Sequence, residues 1–361
     1  MAHPSRRIAY IYSSDYASIA SRLPSNLERS NFQLFTVVYA PQDFLKRVEQ
    51  EGLSDGEDEE GDHQDGGEHR NIKEDRLEEY GLRYDCPVFE GIADYAELVA
   101  GSSMEAATLL SDDAFDMVVH WDGGRHHAKK DMAAGFCIVN DIVLGIMELQ
   151  RTYERVVYLD LDVHHGDGVE NAFQFTDKVL TVSVHHYAQG FYPGTGSGNP
   201  TSSRTKAAVN IPLKGGLSDT TLCKIFDDMI EPLFKSFDPE AIVLQCGVDG
   251  MAGDPLGKWN LSLQSYVDCL KKVMAWKKPL MVLGGGGYKN TSTARCYALL
   301  TSVALGREIS EEIPEHEFFE DYKPDFMLQI DPGRQTDENT DDYMEQVREL
   351  VEAQTDFLES K

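Results

Sequence analysis

Five short apolar runs, at 117–121, 156–161, 179–184, 241–244 and 280–283, each give way to polar residues at their C-terminal end. Helical spacing fills the intervals near 141–151, 220–237, 262–276 and 291–305, where Ser262 is placed to cap the third helix and Pro279 follows its end. Strands that alternate with helices in this way predict an α/β fold: one domain built on a central, mostly parallel β-sheet with helices on both faces. The C-terminal ends of parallel strands lie on one side of the sheet. Asp122–His127, Asp160–Gly168, His185–Tyr187, Gln245–Gly250 and Gly284–Tyr288 can therefore meet in one crevice, although they are far apart in the chain.

The second run carries the densest chemistry. It reads RVVYLDLDVHHGDG over 155–168. Side chains alternate along a strand, so Asp160, Asp162 and His164 share one face if the extension persists that far, and Gly166 and Gly168 then let the backbone turn away. Asp162, His164 and a third oxygen donor from another strand end, with Asp249 the best candidate, make a three-ligand metal site with open positions. A catalytic zinc is held in this way, whereas structural zinc is usually closed by four Cys-rich ligands. Two carboxylates leave the ion nearly neutral, so a separate general base is needed. His126 and His127, delivered by a glycine turn from the neighbouring strand, can supply it, and Asp160 and Asp167 remain to orient and charge-stabilise the two imidazoles. Gly284–Gly287 lacks the spacing of a nucleotide-binding loop. Its use is close approach of backbone to substrate, with Gly287 presenting Tyr288 as a phenol donor for a developing oxyanion.

The remaining signals bound the class. Six cysteines are scattered without a CxxC pair, which fits reduced core thiols. No run reaches the roughly 18 apolar residues of a membrane helix, and the apolar run near the N-terminus is too short for a secretory signal core, so an intracellular, non-membrane protein is expected. A net charge of -29 argues against direct nucleic-acid binding and suits a cationic partner. The stretch 54–79 holds 12 acidic and 3 basic residues, and its glycine-bearing part is expected to form a disordered loop at about 54–70. Strand 8–12, an apolar run at 32–39, a helix at 42–51 and a last amphipathic helix at 340–358 complete the reading.

The motifs HWDGGRHHAKKDMAAGFCIVNDIVLGI (120–146), VVYLDLDVHHGDGVENAF (156–173), VSVHHYAQGFYPGTG (182–196), LQCGVDGMAGDPLG (244–257), LGGGGYKNTSTARC (283–296) and EIPEHEFFEDYKPDF (312–326) resemble the class I histone deacetylases, in order, over about 79–332. The resemblance implies the arginase/deacetylase fold and hydrolysis of N-acetyl-lysine on histones or other proteins, with transcriptional repression in the nucleus, or also the cytoplasm. Corepressor partners belong to the same expectation. It implies Zn²⁺, with Fe²⁺ the alternative, held by Asp162, His164 and Asp249. His127 becomes the proton shuttle, His126 its electrostatic partner and Tyr288 the carbonyl polariser. Asp85 would grip the substrate backbone at the rim, Gly135, Phe136 and Tyr192 would line a tube for the lysine stem, and Leu256 would stand at its mouth. A structural K⁺ is implied near Asp160, Asp162, His164, Ser183 and Val184, and an internal cavity by Arg29 and Cys137.

Three positions depart from the family pattern. Tyr192 stands where Phe is usual, Ala207 replaces the Tyr that completes a second cation site with Phe173, Thr176 and Val179, and the helical region at about 30–45 is shortened. Rival expectations are a catalytically silent acetyl-lysine-binding or scaffold subunit, an acetylpolyamine amidohydrolase, and a two-manganese ureohydrolase, which would need a second ligand set.

Overall fold

The computed structural model describes residues 7–11, 77–198 and 207–359. The expectations for Arg29, the shortened region at 30–45, the run at 32–39, the helix at 42–51 and most of the acidic stretch lie outside the described residues.

Seven strands, β1 Ile8–Tyr10, β2 Met117–His120, β3 Val156–Asp160, β4 Val179–His186, β5 Ala208–Leu213, β6 Ala241–Gln245 and β7 Leu280–Leu283, form one sheet in the order β1-β2-β7-β6-β3-β4-β5. Every pairing is parallel. Burial on both faces explains why the strand sequences are continuous apolar runs, where an alternating pattern would mark a sheet wetted on one side. In β3, Val156 and Tyr158 pack with Val118, Val243 and Met281 on one face, while Val157 and Leu159 pack with Val119, Leu244 and Val282 on the other. The first face is covered by α1 Ile92–Ser111, α2 Asp141–Leu149 and α3 Asp167–Phe173. The second is covered by α4 Asp219–Ile225, a π-turn at Phe226–Ile230, α5 Glu231–Phe237, α6 Leu263–Ala275 and α7 Asn290–Ala304.

The C-terminal helix α8, Asp341–Glu359, packs Val347 and Val351 into this second core, and Gln354 hydrogen-bonds both backbone polar groups of Asn210 on β5. It thereby protects the exposed edge of the sheet. The five strands read from the sequence are all present, with β4 two residues longer than expected. The expected helix at 220–237 is broken by the π-turn, and α1, α3 and β5 carry no explicit expectation. β5 (AVNIPL) is short and contains a proline, which the edge position tolerates.

Ser262 caps α6, accepting the Gln264 N–H, as its sequence position predicts. All six cysteines are free, five of them buried. No helix among the described residues is long and apolar enough to cross a membrane.

Candidate active site

Extension ends at Asp160, earlier than the alternation argument requires. The convergence of Asp160, Asp162 and His164 has another cause. Asp160 Oδ1 accepts the Asp162 N–H at 3.1 Å, and Asp162 Oδ1 accepts the His164 N–H at 3.0 Å, so each carboxylate closes a turn onto the backbone two residues ahead. Asp249 arrives from the loop after β6, the strand beside β3. Its Oδ1 accepts the Val163 N–H at 2.8 Å, which fixes the carboxylate against the same turn.

Asp162, His164 and Asp249 are buried, and one donor atom from each lies within 4.8 Å of the others. His164 Nδ1 faces Asp249 Oδ2 at 2.9 Å and Asp162 Oδ1 at 3.1 Å. Burial and the charge of Asp162 push the Asp249 carboxyl up to about 8. Burial opposes a charge on His164, but the two carboxylates outweigh it and raise its pKa to about 10. His164 and Asp249 therefore retain protons, while His126 and His164 hold Asp162 ionised against its burial. The chain also keeps side-chain bulk away from the trio. A Cβ on Gly286 would lie 2.1 Å from Asp249 Oδ2 and 2.6 Å from Asp162 Oδ2, and the Gly286 N–H donates to that Asp162 oxygen. The donor set, two carboxylates and one imidazole with no thiolate, fits a divalent ion with open positions.

His126 and His127 follow β2, but β2 is not the neighbour of β3: β7 and β6 lie between them. The expectation of a neighbouring strand is corrected here, since the chain turns back from β2 across β7 and β6. The turn is held by Asp141 at the start of α2, whose oxygens accept the Gly124 N–H (3.0 Å) and Arg125 N–H (2.8 Å) and the Ser103 hydroxyl (2.6 Å). Both imidazoles are buried, and each Nδ1 meets one carboxylate: His126 with Asp160 at 2.8 Å, His127 with Asp167 at 2.9 Å. The two then diverge electrostatically. Burial lowers the pKa of both, but Asp160 and Asp162 reverse this for His126, which rises to about 9. His127, beside His126, falls to about 3 despite Asp167. His127 is the neutral member of the pair.

A cavity of about 400 Å³ leads from the surface to His127 and His164. Phe136, Tyr192, Leu256 and Tyr288 line it, and Asp85 stands in its wall, accepting the Gly135 N–H at 2.8 Å. The Tyr192 ring meets His127 edge-on at 4.9 Å, and Phe136 meets Tyr288 at 5.8 Å. Gly135 is at φ +55°, and a Cβ there would collide with His127 Cδ2 at 2.4 Å, so only glycine fits. Gly287 adjoins Tyr288, whose phenol burial keeps protonated. Cys137 is buried behind the cavity, in a small pocket shared with Arg125, Gly286 and Tyr288. Ser183 pairs with Asp160 across β3 and β4, and Val184 follows it, so the residues expected around a monovalent ion are adjacent.

Several residues at the site carry no individual role in the sequence reading. Gln245 lies opposite Asp160 in the sheet and donates to Asp162 Oδ2 at 3.1 Å. Asp254 accepts the backbone N–H groups of Tyr288 (2.6 Å), Leu256 and Gly257, joining Tyr288 to the mouth of the cavity. Lys129 pairs with Asp167 at 2.8 Å, and Phe191 stacks on His164 at 5.1 Å. The signal for Gln245 was available, because it ends an apolar run as Asp160 does. Nothing in the sequence pairs Asp254 with Tyr288.

A parallel α/β sheet carries this trio and two histidine–carboxylate pairs at its carboxyl edge, an arrangement suited to metal-assisted hydrolysis. The comparisons narrow the class. Residues 38–304 match the histone deacetylase domain. The chain is 47% identical to histone deacetylase 8 of Danio rerio over 271 residues, 74% of this chain and 72% of that protein. It is 46% identical to histone deacetylase 8 of Xenopus laevis over 275 residues, 76% and 85% respectively. With histone deacetylase HDAC1 of Drosophila melanogaster the identity is 44% over 288 residues, 77% of this chain and 55% of that one. The chain belongs to the histone deacetylase family.

Proposed function

We propose that this protein hydrolyses the acetyl amide of N-acetyl-lysine in histone tails or other proteins, releasing acetate and free lysine. One observation carries the reading. A neutral buried base, His127, and a three-donor metal trio meet at the floor of a cavity with aromatic walls.

Phe136 and Tyr192 would enclose the apolar lysine stem, Leu256 would border the mouth, and Asp85 would hold the peptide backbone. Gly287 would let the main chain approach the acyl group. A Zn²⁺ ion held by Asp162, His164 and Asp249, with Fe²⁺ the alternative, would supply Lewis acidity to the carbonyl and to water. His127 takes the proton of the attacking water, with Asp167 holding its Nδ1–H so that Nε2 is the accepting atom. The Tyr288 phenol donates to the carbonyl oxygen as negative charge develops there. His127 then returns the proton to the leaving lysine amine, so no acyl-enzyme forms. His126, tied to Asp160, adds positive charge beside the reaction. A K⁺ ion among Asp160, Asp162, His164, Ser183 and Val184 would be structural.

We read the chain as one catalytic domain, since β1 and α8 join the same sheet and core that carry the site. The -29 charge suits basic histone tails and opposes direct DNA binding. Nuclear location, repression and a corepressor extend the same reading. The test is turnover of a fluorogenic acetyl-lysine peptide with and without a chelator. Turnover abolished by chelation and restored by Zn²⁺ supports the reading, and metal-independent turnover overturns it.

A further inference from the structure

The mouth of the cavity carries a charge with no role so far. Apart from two histidines, the charged side chains of its lining are Asp85 and Lys258. Asp85 is committed to the Gly135 N–H. The backbone around Lys258 is tied down: its carbonyl accepts the Gly216 N–H at 2.8 Å, Asp254 holds the N–H groups of Leu256 and Gly257, and the Trp259 indole donates to the Lys214 carbonyl at 3.1 Å. The Lys258 side chain is exposed and makes no ion pair with a described residue. Lys258 and Glu338 both act on His186, Asp254 lies against the backbone just before Lys258, and no ion pair among the described residues joins the lysine to either carboxylate. A cation on a fixed backbone therefore stands at the entrance of a protein with 62 acidic residues against 33 basic ones. The diffuse negative surface attracts any basic peptide at long range, whereas Lys258 acts only on what lies across the mouth.

We propose that Lys258 is a specificity-determining residue that favours acetyl-lysine peptides bearing a side-chain anion, carboxylate or phosphate, close to the modified lysine. This rests on the deacetylase reading above. An extended peptide advances roughly 3.3–3.6 Å per residue, so the anion belongs within about three residues of the acetyl-lysine. The peptide's anion gives Lys258 an ion-pair partner that no described residue supplies.

The test uses the full metal-loaded chain and acetyl-lysine peptides with Asp, phosphoserine, Asn or Arg two positions before or after the acetylated residue. On one side of the lysine, kcat/KM for Asp should exceed that for Asn by about two- to fivefold, the size expected of an exposed ion pair, with Arg below both. The difference should lie in KM and shrink in high salt. Preference for phosphoserine alone identifies phosphate as the source, and equal preference for Asp admits both. K258Q should erase the preference and K258E should reverse it toward Arg. Equal kcat/KM for phosphoserine, Asp and Asn on both sides in the unaltered protein, or a preference for the anion that survives in K258E, overturns the proposal. Absence of turnover on every peptide would count against the deacetylase reading instead. Binding of the same peptides, read by fluorescence anisotropy in the unaltered protein and K258E, would then decide the role of Lys258.

Discussion

Of the three histidine doublets at strand ends, His126–His127 and His185–His186 meet different partners. His126–His127 follows β2 and meets two buried carboxylates, Asp160 and Asp167. His185–His186 ends β4 and meets neutral partners: His185 bonds the Ser183 hydroxyl and the Gly196 carbonyl, and His186 bonds the Leu213 carbonyl. Burial lowers the pKa of His185 and of His186, and neither stands against the cavity. The residue type is the same in both places. The two pairs differ in the partner on Nδ1 and in access to the open cavity, and in the proposed reading that difference makes the first reactive and the second structural.

Substitutions should divide along this line. The largest effect is expected for His127→Ala, a fall in kcat of about 10²–10⁴ with little change in KM, read in the peptide assay. Its pH dependence has a definite sign. His127 must be neutral to accept a proton, and its lowered pKa places the acid limb of kcat/KM below the ordinary imidazole value of about 6.5. An acid limb above that value would contradict the assignment. Asp167→Asn comes next. It keeps the shape but weakens the hold on the His127 tautomer, and a loss of about 10–100-fold in kcat is expected with the fold intact by circular dichroism.

The legibility of the sequence follows the same division. The five strands and the Asp162, His164 and Asp249 set could be read because apolar runs that discharge polar residues at one end are a property of parallel sheets, independent of long-range detail. The expected adjacency of β2 and β3 fails because strand order depends on how crossover helices pack, and no local pattern records that β7 and β6 intervene. The face shared by Asp160, Asp162 and His164 was anticipated from strand alternation, although turns closed by the aspartates produce it. Asp141 illustrates what stays hidden. It reads as an acidic residue at a helix start, yet its two oxygens aim the turn that delivers His126 and His127.

Smaller effects sharpen the contrast. His185→Gln should leave kcat within about twofold and cost about 0.5–1.5 kcal/mol of stability at pH 7, through lost hydrogen bonds. His185 has a folded pKa below its unfolded value, so the unfolded state binds the extra proton and its stabilisation is lost as pH falls below about 6.5. Unfolding midpoints of the two proteins should therefore converge between pH 7 and pH 5. A gap that widens would mean His185 gains, not loses, from protonation. The smallest effect is expected for Tyr192→Phe. The Tyr192 hydroxyl has no hydrogen-bond partner among the described residues, so kcat/KM for an acetyl-lysine peptide should change by less than about twofold and the unfolding midpoint should not move.

The central claim, that one divalent ion held by Asp162, His164 and Asp249 serves the His127 base, is tested most directly by metal content measured beside turnover in the unaltered protein and in Asp249→Ala. The predicted result is one divalent ion per chain in the first, and parallel loss of the ion and of peptide deacetylation in the second. An Asp249→Ala protein that keeps both its metal and its turnover would contradict it.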